Sequence, residues 1–388
     1  MKIAIIGGGI AGAAAAFEIA RQGGRATVFH HLTGSSGLYS GALDFQPWDQ
    51  LGAIGTLSAD LGEFSKQLGA WELGVASRHV ATLEGNVRSA RGADSALLNL
   101  ELCAGKRVAV VDLERDDWDA PLLAKSFAST AWAVQTQTQF FAARATVLEK
   151  GFEHRISDYD FAALHDPPER ALALQAALLE SRVSADAWLF GPWLGIERAL
   201  AQELSAALGL PVGETTSAPG GAAGARFEQA RDRLLGRIAN VERGQLISVE
   251  RNGAGYRLHL RDRPIELFPS AILATGGVAA GGVALERSFE RRGGTGFRLS
   301  FAAPVALELD AEVVEGVSSL ASVDFAERGL DALLKVGIAT RADGSVLDNP
   351  GLFVAGDAIA GRPRTALIAA QSGLQAARSA LDHLRRSG

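Results

Sequence analysis

The stretch Lys2-Ile3-Ala4-Ile5-Ile6-Gly7-Gly8-Gly9-Ile10-Ala11-Gly12 decides the fold of this chain of 388 residues. Its first half is a short apolar run, which is typical of a buried parallel strand. An alanine-rich segment from about Ala11 to Gln22 follows and predicts a helix that ends at Gly23-Gly24. Ala26 to Phe29 predicts a second strand. Together these segments predict one β-α-β unit with the glycines at its first turn.

The glycines have the spacing Gly7-x-Gly9-x-x-Gly12 between a strand and a helix, which is the context that a dinucleotide-binding turn requires. Gly7 permits the tight turn, Gly9 lets the backbone approach a pyrophosphate, and Gly12 lets the helix pack closely on the strand. The helix N-terminus offers N–H groups and a partial positive charge to the phosphates. We therefore predict that Gly7, Gly8, Gly9 and Gly12 bind a dinucleotide. The alternative is a glycine-rich loop in an α/β protein that binds no nucleotide.

The end of the second strand departs from the usual dinucleotide pattern. A carboxylate is expected about 20 residues after the turn, where it binds the ribose hydroxyls. This place holds Phe29-His30-His31 instead. A neutral histidine can accept one hydrogen bond, which is fewer than a carboxylate accepts. We predict that His30 contacts the cofactor, and the alternative is that both histidines are simply polar residues at a strand end.

Two distant segments point to a flavin. Ala274-Thr275-Gly276-Gly277 and Gly356-Asp357 each end a predicted strand. In an open parallel sheet, ligands bind at the carboxyl ends of the strands. Asp357 suits a polyol hydroxyl, and a helix N-terminus after it would stabilise a reduced, anionic isoalloxazine ring. We therefore predict that Ala274, Thr275, Gly276, Gly356 and Asp357 bind the cofactor.

The predicted fold class is α/β, with a Rossmann-like FAD-binding domain (a parallel sheet with a β-meander) and an inserted α/β domain. A new strand and helix pattern begins near Gly105, and residues 213–225 resemble a linker. Residues 58–83 are predicted to be mostly helical. We expect the FAD-binding domain to cover residues 1–94 and 216–388, and the insertion to cover 95–215. A small cap region is expected at about residues 281–335.

The composition excludes several functional classes. The net charge is −6 and no long basic cluster is present, so we expect no nucleic-acid partner. The single cysteine, Cys103, cannot form an internal disulfide or hold an iron–sulfur cluster, which usually needs four cysteines. There is no apolar run of about 18 residues, so we expect no membrane-spanning helix. No metal site is expected either, and a cytoplasmic location is the default expectation.

The segments at the two ends of the chain are similar to those of a known class. Gly7–Gly12, the strand ending at Gly277 and Gly351–Ala358 resemble the FAD-dependent oxidoreductases of the glutathione-reductase-like class. Three further segments resemble the B-type subunit of the anaerobic glycerol-3-phosphate dehydrogenase: Gly37–Asp44, Gly105–Val111 and Gly281–Arg287. The late glycine- and cysteine-rich stretch of that family is replaced here by Arg364–Gly373.

The narrower resemblance implies a flavoprotein subunit of a respiratory complex. In that family a separate subunit oxidises glycerol 3-phosphate, and an iron–sulfur subunit passes the electrons to membrane quinone. The resemblance therefore implies other subunits as partners, a small polar substrate, and attachment to the inner membrane only through a partner. The B-type subunit is usually described as carrying FMN, whereas the full glycine turn favours FAD. Ser40 and Gly41, within the first resembling segment, are predicted as further cofactor contacts.

No catalytic residue can be assigned from the sequence. None of the seven histidines stands in a recognisable catalytic setting. Arginines cluster near Gly293-Gly294 and after Gly361, where they could hold a phosphate or carboxylate or form a solvated face: Arg287, Arg291, Arg292, Arg298, Arg362 and Arg364. Three hypotheses stay open: a flavoprotein subunit of a complex, a self-sufficient FAD oxidoreductase, and a non-catalytic scaffold that keeps the nucleotide fold.

Overall fold

The computed structural model of the protein describes residues 2–31, 34–44, 58–148, 150–181, 183–244, 246–253, 255–261, 266–288, 298–302, 306–308, 313–314 and 337–387. They form two compact units. The first unit contains Met1–Ser36, Leu51–Gln67 and Arg231–Gly388, and the second contains Gly37–Gln50 and Leu68–Ala230. The second unit is thus inserted in the sequence of the first.

The first unit is built on a parallel sheet of five strands. In spatial order these are β10 (Ala239–Arg243), β2 (Arg25–His30), β1 (Lys2–Ile6), β14 (Ser270–Leu273) and β20 (Leu352–Val354). The strands are short and apolar because residues of the central strands are buried on both faces, as Ile3, Ala4 and Ile5 show. All five strands end at the same edge of the sheet, and three of the predicted site segments directly follow them.

Two helices of the first unit pack closely on each other. Helix α1 (Ile10–Arg21) follows β1, and helix α9 (Ala366–Ser387) follows β20. A Cβ atom at Gly373 would lie 2.1 Å from the carbonyl oxygen of Ala11, so only glycine allows this approach. Four fully buried alanines, Ala13 to Ala16, keep α1 narrow where it is covered. The small residues of both helices therefore set their separation.

Glu18 is a charged side chain in this packed region, and it is fully buried. It accepts hydrogen bonds from Arg21, Gln22 and, on α9, Arg378, whose Nε lies 2.9 Å from Glu18 Oε1. Arg378 also pairs with Asp60 on α2 (Ala59–Leu68). Burial alone would raise the pKa of Glu18, but these hydrogen bonds outweigh it and lower the pKa.

An antiparallel layer completes the first unit. Strands β11 (Leu246–Asn252), β12 (Gly255–Leu260) and β13 (Glu266–Phe268) form a meander, and β17 (Ala306–Glu308) pairs with β11 in parallel. Two smaller pairs are β15 (Ala284–Ser288) with β16 (Arg298–Ala302), and β18 (Val313–Val314) with β19 (Gly337–Ile338). The predicted parallel sheet with a β-meander is confirmed.

The second unit contains its own parallel sheet, which confirms the predicted inserted α/β fold. Its strand order is β7 (Gln139–Arg144), β6 (Arg107–Asp112), β8 (Ala187–Phe190) and β9 (Val212–Glu214). The helices are α3 (Ala120–Ala128), α4 (Ala131–Thr136), α5 (Asp158–Leu164), α6 (Pro168–Glu180), α7 (Leu200–Leu208) and α8 (Ala222–Ile238), whose last turns belong to the first unit.

The prediction of a mostly helical segment at residues 58–83 was wrong in its second half. Helix α2 ends at Leu68, and Gly69 follows with a φ of +76°. The chain then forms β4 (Trp71–Ala81), which pairs with β5 (Val87–Asp94), and β5 also pairs with β3 (Ala42–Leu43). A glycine in the left-handed region commonly ends a helix, and cross-strand pairing determines the structure beyond it.

A buried ionic cluster lies in the second unit, where one guanidinium pairs with two carboxylates. Arg226 Nε is 3.1 Å from Asp94 Oδ1, and its Nη2 is 2.6 Å from Glu214 Oε2. The same guanidinium donates to the carbonyl of Gly195. Burial raises the pKa of Glu214 to about 7, although the charge of Arg226 acts in the opposite direction. The single buried guanidinium of Arg226 thus pairs with the carboxylates of both Asp94 and Glu214.

The boundaries of the two units differ from the predicted domains. The prediction separated residues 1–94, 95–215 and 216–388, whereas residues 37–50 and 68–94 belong to the second unit. Strands β3, β4 and β5 form one sheet, which keeps these residues together in the second unit. Most of the predicted cap region at 281–335 lies outside the described residues.

Candidate dinucleotide-binding site

Gly7 lies at the tip of β1, between the tips of two neighbouring strands. Its N–H donates to the carbonyl of Phe29, at a distance of 2.8 Å. Its φ is +113°, and a Cβ atom here would lie 2.1 Å from the carbonyl oxygen of Ala274. The backbone conformation and the close approach of β14 therefore both require glycine at this position.

The start of helix α1 carries no acidic side chain. Gly9 is the N-cap residue, and no acidic residue follows in the first turn. Gly12 lies so close to Gly7 that a Cβ atom would be 1.9 Å from the carbonyl oxygen of Gly7. Backbone N–H groups and the positive end of the helix dipole at such a place favour a phosphate.

Ser36 is a residue of this turn that the sequence did not reveal. The hydroxyl of Ser36 accepts a hydrogen bond from Ile10 N at 3.1 Å, and a Cβ atom at Gly9 would lie 3.0 Å from the same oxygen. The hydroxyl thus satisfies the first amide of the helix. The amides of Ala11 and Gly12 also have no carbonyl four residues earlier within the helix, so a ligand can use them.

The tips of β14 and β20 extend the same edge of the sheet. Ala274 N donates to the carbonyl of Ile6 at 2.7 Å, and Ala355 N donates to that of Leu273 at 2.8 Å. Gly356 has a φ of +72°, and a Cβ atom there would lie 2.8 Å from the Cβ of Ala11. The structure thus places the first turn, the end of β14 and the start of the Gly356 segment next to one another.

The loop after β14 turns back sharply on itself. Gly276 has a φ of +81°, and Gly282 N donates to the carbonyl of Gly277 at 3.0 Å. A Cβ atom at Gly282 would lie 2.0 Å from the carbonyl oxygen of Gly276 and 2.3 Å from that of Thr275. Gly282 therefore packs directly against the backbone of Thr275 and Gly276 at the strand tip.

Asp357 and Arg364 meet at Gly277. A Cβ atom at Gly277 would lie 3.0 Å from the Cβ of Asp357 and 3.3 Å from Nε of Arg364. Burial raises the pKa of Asp357, and the charge of Arg364 acts against this rise. Burial likewise lowers the pKa of Arg364, and Asp357 opposes that change. The strand tips thus carry a carboxylate and a guanidinium in one partly buried place.

His30 lies against the second glycine of the turn. A Cβ atom at Gly8 would lie 3.3 Å from the Cβ and Cγ atoms of His30. Burial, followed by the charges of Arg231 and Arg243, lowers the pKa of His30. The ring is therefore neutral at neutral pH, and one of its nitrogens can accept a hydrogen bond while the other donates. His30 is the last residue of β2, and a dinucleotide-binding fold usually carries a carboxylate at the end of this strand.

Ser40 and Gly41 belong to the second unit, and their described contacts lie within it. The carbonyl of Ser40 accepts a hydrogen bond from Ser217 N at 2.7 Å. The carbonyl of Gly41 accepts from Tyr39 Oη and from Asp94 N, each at 2.6 Å. These contacts give both residues a role in holding their own loop, and their role as cofactor contacts stays a prediction.

The other polar candidates are only partly described. Arg291 and Arg292 lie outside the described residues, as do the side chains of Arg287 and Arg298. Cys103 is buried, and burial raises the pKa of its thiol to about 12, which suits an inert core residue. Within the described ranges no group of three or more histidine, cysteine or acidic side chains is placed to bind a metal ion. In the same part of the chain no helix is both long and apolar enough to span a bilayer.

No family model matches this sequence, and no curated protein matches it. Among solved structures, the chain is similar to glycine oxidase from Geobacillus kaustophilus, with 14% identity, a TM-score of 0.34 and coverage of 98% of this chain and 94% of that one. An oxidoreductase from Agrobacterium tumefaciens has 12% identity and a TM-score of 0.28, with both chains covered over 100% of their length.

A ferredoxin-flavin thioredoxin reductase from Clostridium acetobutylicum has 14% identity and a TM-score of 0.26, and the match covers 44% of this chain and 80% of that one. All three proteins are named as an oxidase, a reductase or an oxidoreductase. The narrower resemblance to the B-type subunit of glycerol-3-phosphate dehydrogenase finds no support in these comparisons.

Proposed function

We propose that the first unit binds FAD and that the chain is an FAD-dependent oxidoreductase. One observation carries the proposal: Gly7, Ala274 and Gly356, which are far apart in the sequence, meet at one edge of a parallel sheet beside a helix N-terminus. This edge is where ligands bind in doubly wound folds. The sequence resemblance of the same three segments to FAD-dependent oxidoreductases supports a flavin as the ligand.

The residues at this edge fit the parts of FAD. The amides of Ala11 and Gly12 suit the pyrophosphate, and neutral His30 suits a ribose hydroxyl. Asp357 suits hydroxyls of the ribityl chain, because a carboxylate accepts hydrogen bonds from them. The flavin, when bound, supplies the two-electron chemistry, and the protein supplies its position and electrostatic surroundings. FMN lacks the second phosphate and the adenosine that this turn and His30 suit, so we favour FAD.

The first test is to purify the full chain and record its visible spectrum. A flavin absorbance spectrum, with FAD as the released cofactor in mass analysis, is the expected result. Released FMN would overturn the assignment of FAD but leave a flavoprotein. A colourless chain that takes up no added flavin would overturn the proposal and favour the scaffold hypothesis.

The second test compares two glycine-to-alanine substitutions in helices, one where the added Cβ atom meets the backbone and one where it has open space. Gly12→Ala adds a Cβ atom 1.9 Å from a backbone oxygen, so we expect the first turn to shift and FAD affinity to fall at least about tenfold. Gly236→Ala is the control, because no described atom lies within 4 Å of the added Cβ there. It is expected to bind FAD like the wild type. Thermal unfolding of both apoproteins shows whether the loss is local.

A finer proposal concerns substrate and partners. We propose that the chain works as a component similar to the B-type subunit of a respiratory dehydrogenase, passing electrons from a small polar alcohol to a partner subunit. With one cysteine, the chain itself cannot hold a cysteine-ligated iron–sulfur cluster, so this relay needs an iron–sulfur partner. Under this proposal the protein is cytoplasmic and reaches the inner membrane only through that partner.

Anaerobic reduction of the bound flavin tests the finer proposal. Under it, glycerol 3-phosphate bleaches the flavin only when the substrate-oxidising partner subunit is present, and glycerol is the control. Bleaching of the isolated chain by another small polar compound would instead identify a self-sufficient oxidoreductase. Both outcomes are consistent with a bound flavin. The test therefore examines the proposed substrate and partner independently of the proposed cofactor.

A further inference from the structure

Arg364 lies two residues before the start of α9, next to the residue that caps this helix. Thr365 directly precedes α9 and caps its N-terminus: its hydroxyl accepts from Ile368 N at 3.4 Å, and its carbonyl accepts from Ala369 N at 2.9 Å. Arg364 directly precedes this cap, and its Nε lies near Gly277, 3.3 Å from where a Cβ atom would be. The Nε atom of Arg364 therefore lies at the loop after β14, beside Gly277 and Asp357.

The neighbouring arginine has different surroundings. Arg362 donates from Nη2 to the carbonyl of Ala342 at 3.3 Å, in an exposed part of the first unit. Arg364, in contrast, lies beside Asp357 at Gly277, and its charge opposes the rise in the pKa of Asp357 that burial causes. Arg362 and Arg364 therefore carry the same charge but lie at different distances from the strand tips. A comparison of variants at the two positions separates the effect of position from that of net charge.

We propose that Arg364 is the cation that stabilises negative charge on the reduced flavin, an inference that rests on the proposed FAD site. Two electrons and one proton convert the neutral oxidised isoalloxazine into an anion with one negative charge. The electrons come from the substrate of the proposed oxidoreductase. A fixed cation in a partly buried place stabilises such an anion more than it would in water. The same cation favours the addition of sulfite to the oxidised ring, because sulfite brings negative charge to it.

The test compares the wild type with R364Q, R364K and R362Q, each loaded with FAD. Two quantities are measured: the dissociation constant of sulfite, from the loss of visible flavin absorbance, and the two-electron potential against a reference dye. For R364Q we expect weaker sulfite binding by at least about tenfold and a potential lower by about 30 mV, the equivalent of a tenfold change. R364K keeps the charge and is expected to stay within about threefold of the wild type. R362Q is expected to match the wild type.

Each outcome decides the inference. Unchanged sulfite affinity and potential in R364Q, with FAD bound, would overturn it while the FAD site stands. Equal shifts in R364Q and R362Q would also overturn it, because net charge and not position would be the cause. If R364Q binds no FAD, R364K decides: a potential like that of the wild type supports the inference, and a drop of about 30 mV or more overturns it. A wild-type chain that binds no flavin overturns both this inference and the proposed function.

Discussion

Two glycines of the first turn meet backbone oxygens at distances that leave no room for a side chain. The Cβ positions of Gly7 and Gly12 lie 2.1 Å from Ala274 O and 1.9 Å from Gly7 O. Both residues that carry these oxygens are held at the edge of the sheet by their N–H groups, because Gly7 N donates to Phe29 O and Ala274 N donates to Ile6 O. The turn, the neighbouring strand tip and the first helix are therefore one rigid object, which is the condition for a preorganised phosphate site.

At the same scale, His30→Glu is expected to strengthen FAD binding by about tenfold. A carboxylate accepts two hydrogen bonds from the ribose diol, and hydrogen bonds to charged groups contribute more than neutral ones. Burial and the charge of Asp232 oppose an anion at this position, whereas the charges of Arg231 and Arg243 favour one. FAD titration of the apoprotein, followed by fluorescence quenching, measures the change.

The control for this prediction is His31→Glu, which adds the same charge at the next, exposed residue. It is expected to leave FAD affinity unchanged. If the two variants behave alike, His30 does not contact the ribose. Weaker binding in the His30 variant alone would mean that the imidazole makes a contact that the carboxylate cannot replace.

The conformation of the first turn was predictable from the spacing of its residues, whereas contacts made by distant segments were not. The pattern Gly7-x-Gly9-x-x-Gly12 predicts a turn because strand and helix flank it directly. Ser36 contacts the same turn but lies in a separate short helical segment, Ser35–Leu38, so no local pattern marks it. Arg364 appeared in the sequence only as one of several arginines, and the structure distinguishes it by its approach to Gly277.

At the scale of the secondary-structure element, the first amide of helix α1, that of Ile10, donates a hydrogen bond to the hydroxyl of Ser36, 26 residues away. Ser36→Ala removes the acceptor of the Ile10 amide, so we expect the free energy of unfolding to fall by about 1–2 kcal/mol. Urea unfolding of the apoprotein measures this loss. Ser35→Ala, one residue earlier, is the control and is expected to cost less. An equal cost in both variants would mean that the hydrogen bond contributes nothing.

Glu18 predicts a pH dependence of the contact between α1 and α9. Its folded-state pKa lies below the usual value of 4.5, so its stabilising effect is present above about pH 4.5 and is lost as the pH falls through the folded-state pKa. Glu18→Gln is expected to cost about 1–3 kcal/mol at neutral pH, because Arg21 and Arg378 lose a buried partner. In acid the variant and the wild type should converge.

Denaturant unfolding at several pH values checks the Glu18 prediction. Glu63→Gln, an exposed carboxylate on α2, is the control with the same chemical change. A cost of Glu18→Gln that stays constant with pH would contradict the electrostatic explanation and would favour a packing effect.

At the scale of the whole molecule, the stability of the second unit is expected to depend on pH through the buried carboxyl group of Glu214. The folded-state pKa of Glu214, about 7, lies above its usual value of 4.5, so its contribution to stability is present below about pH 4.5 and is lost as the pH rises through 7. The slope is at most about 1.4 kcal/mol per pH unit for one proton. We expect the second unit to become less stable between about pH 5 and pH 8.

Urea unfolding across this range, followed by tryptophan fluorescence, measures the loss. Glu214→Gln is expected to have a flatter pH dependence, because the titrating group is gone. Glu203→Gln changes an exposed carboxylate of the same unit and should keep the slope of the wild type. A slope that survives in the Glu214 variant would assign the titration to Asp94 or to another group.

The presence of two α/β units was predictable from the sequence, but the residues at which one unit ends and the other begins were not. Parallel-strand patterns on both sides of residue 105 indicate two α/β sheets, and both are present. The pairing of β3 with β5 draws residues 37–44 into the second unit, and such pairing between distant segments leaves no mark in either segment alone. Local sequence describes elements well, whereas assignment to a unit depends on long-range pairing.

The contact between Gly373 and Ala11 has a consequence for the order of assembly. Helix α9 packs on α1, and β20 pairs with the edge of β14 that β1 does not cover. Both α9 and β20 come from the last residues of the chain. During translation, the ribosome therefore completes the second unit before it supplies the strand and helix that finish the first. The sheet edge that the strand tips form is complete only once residues 352–387 have been synthesised, by which time the inserted unit is free to have folded.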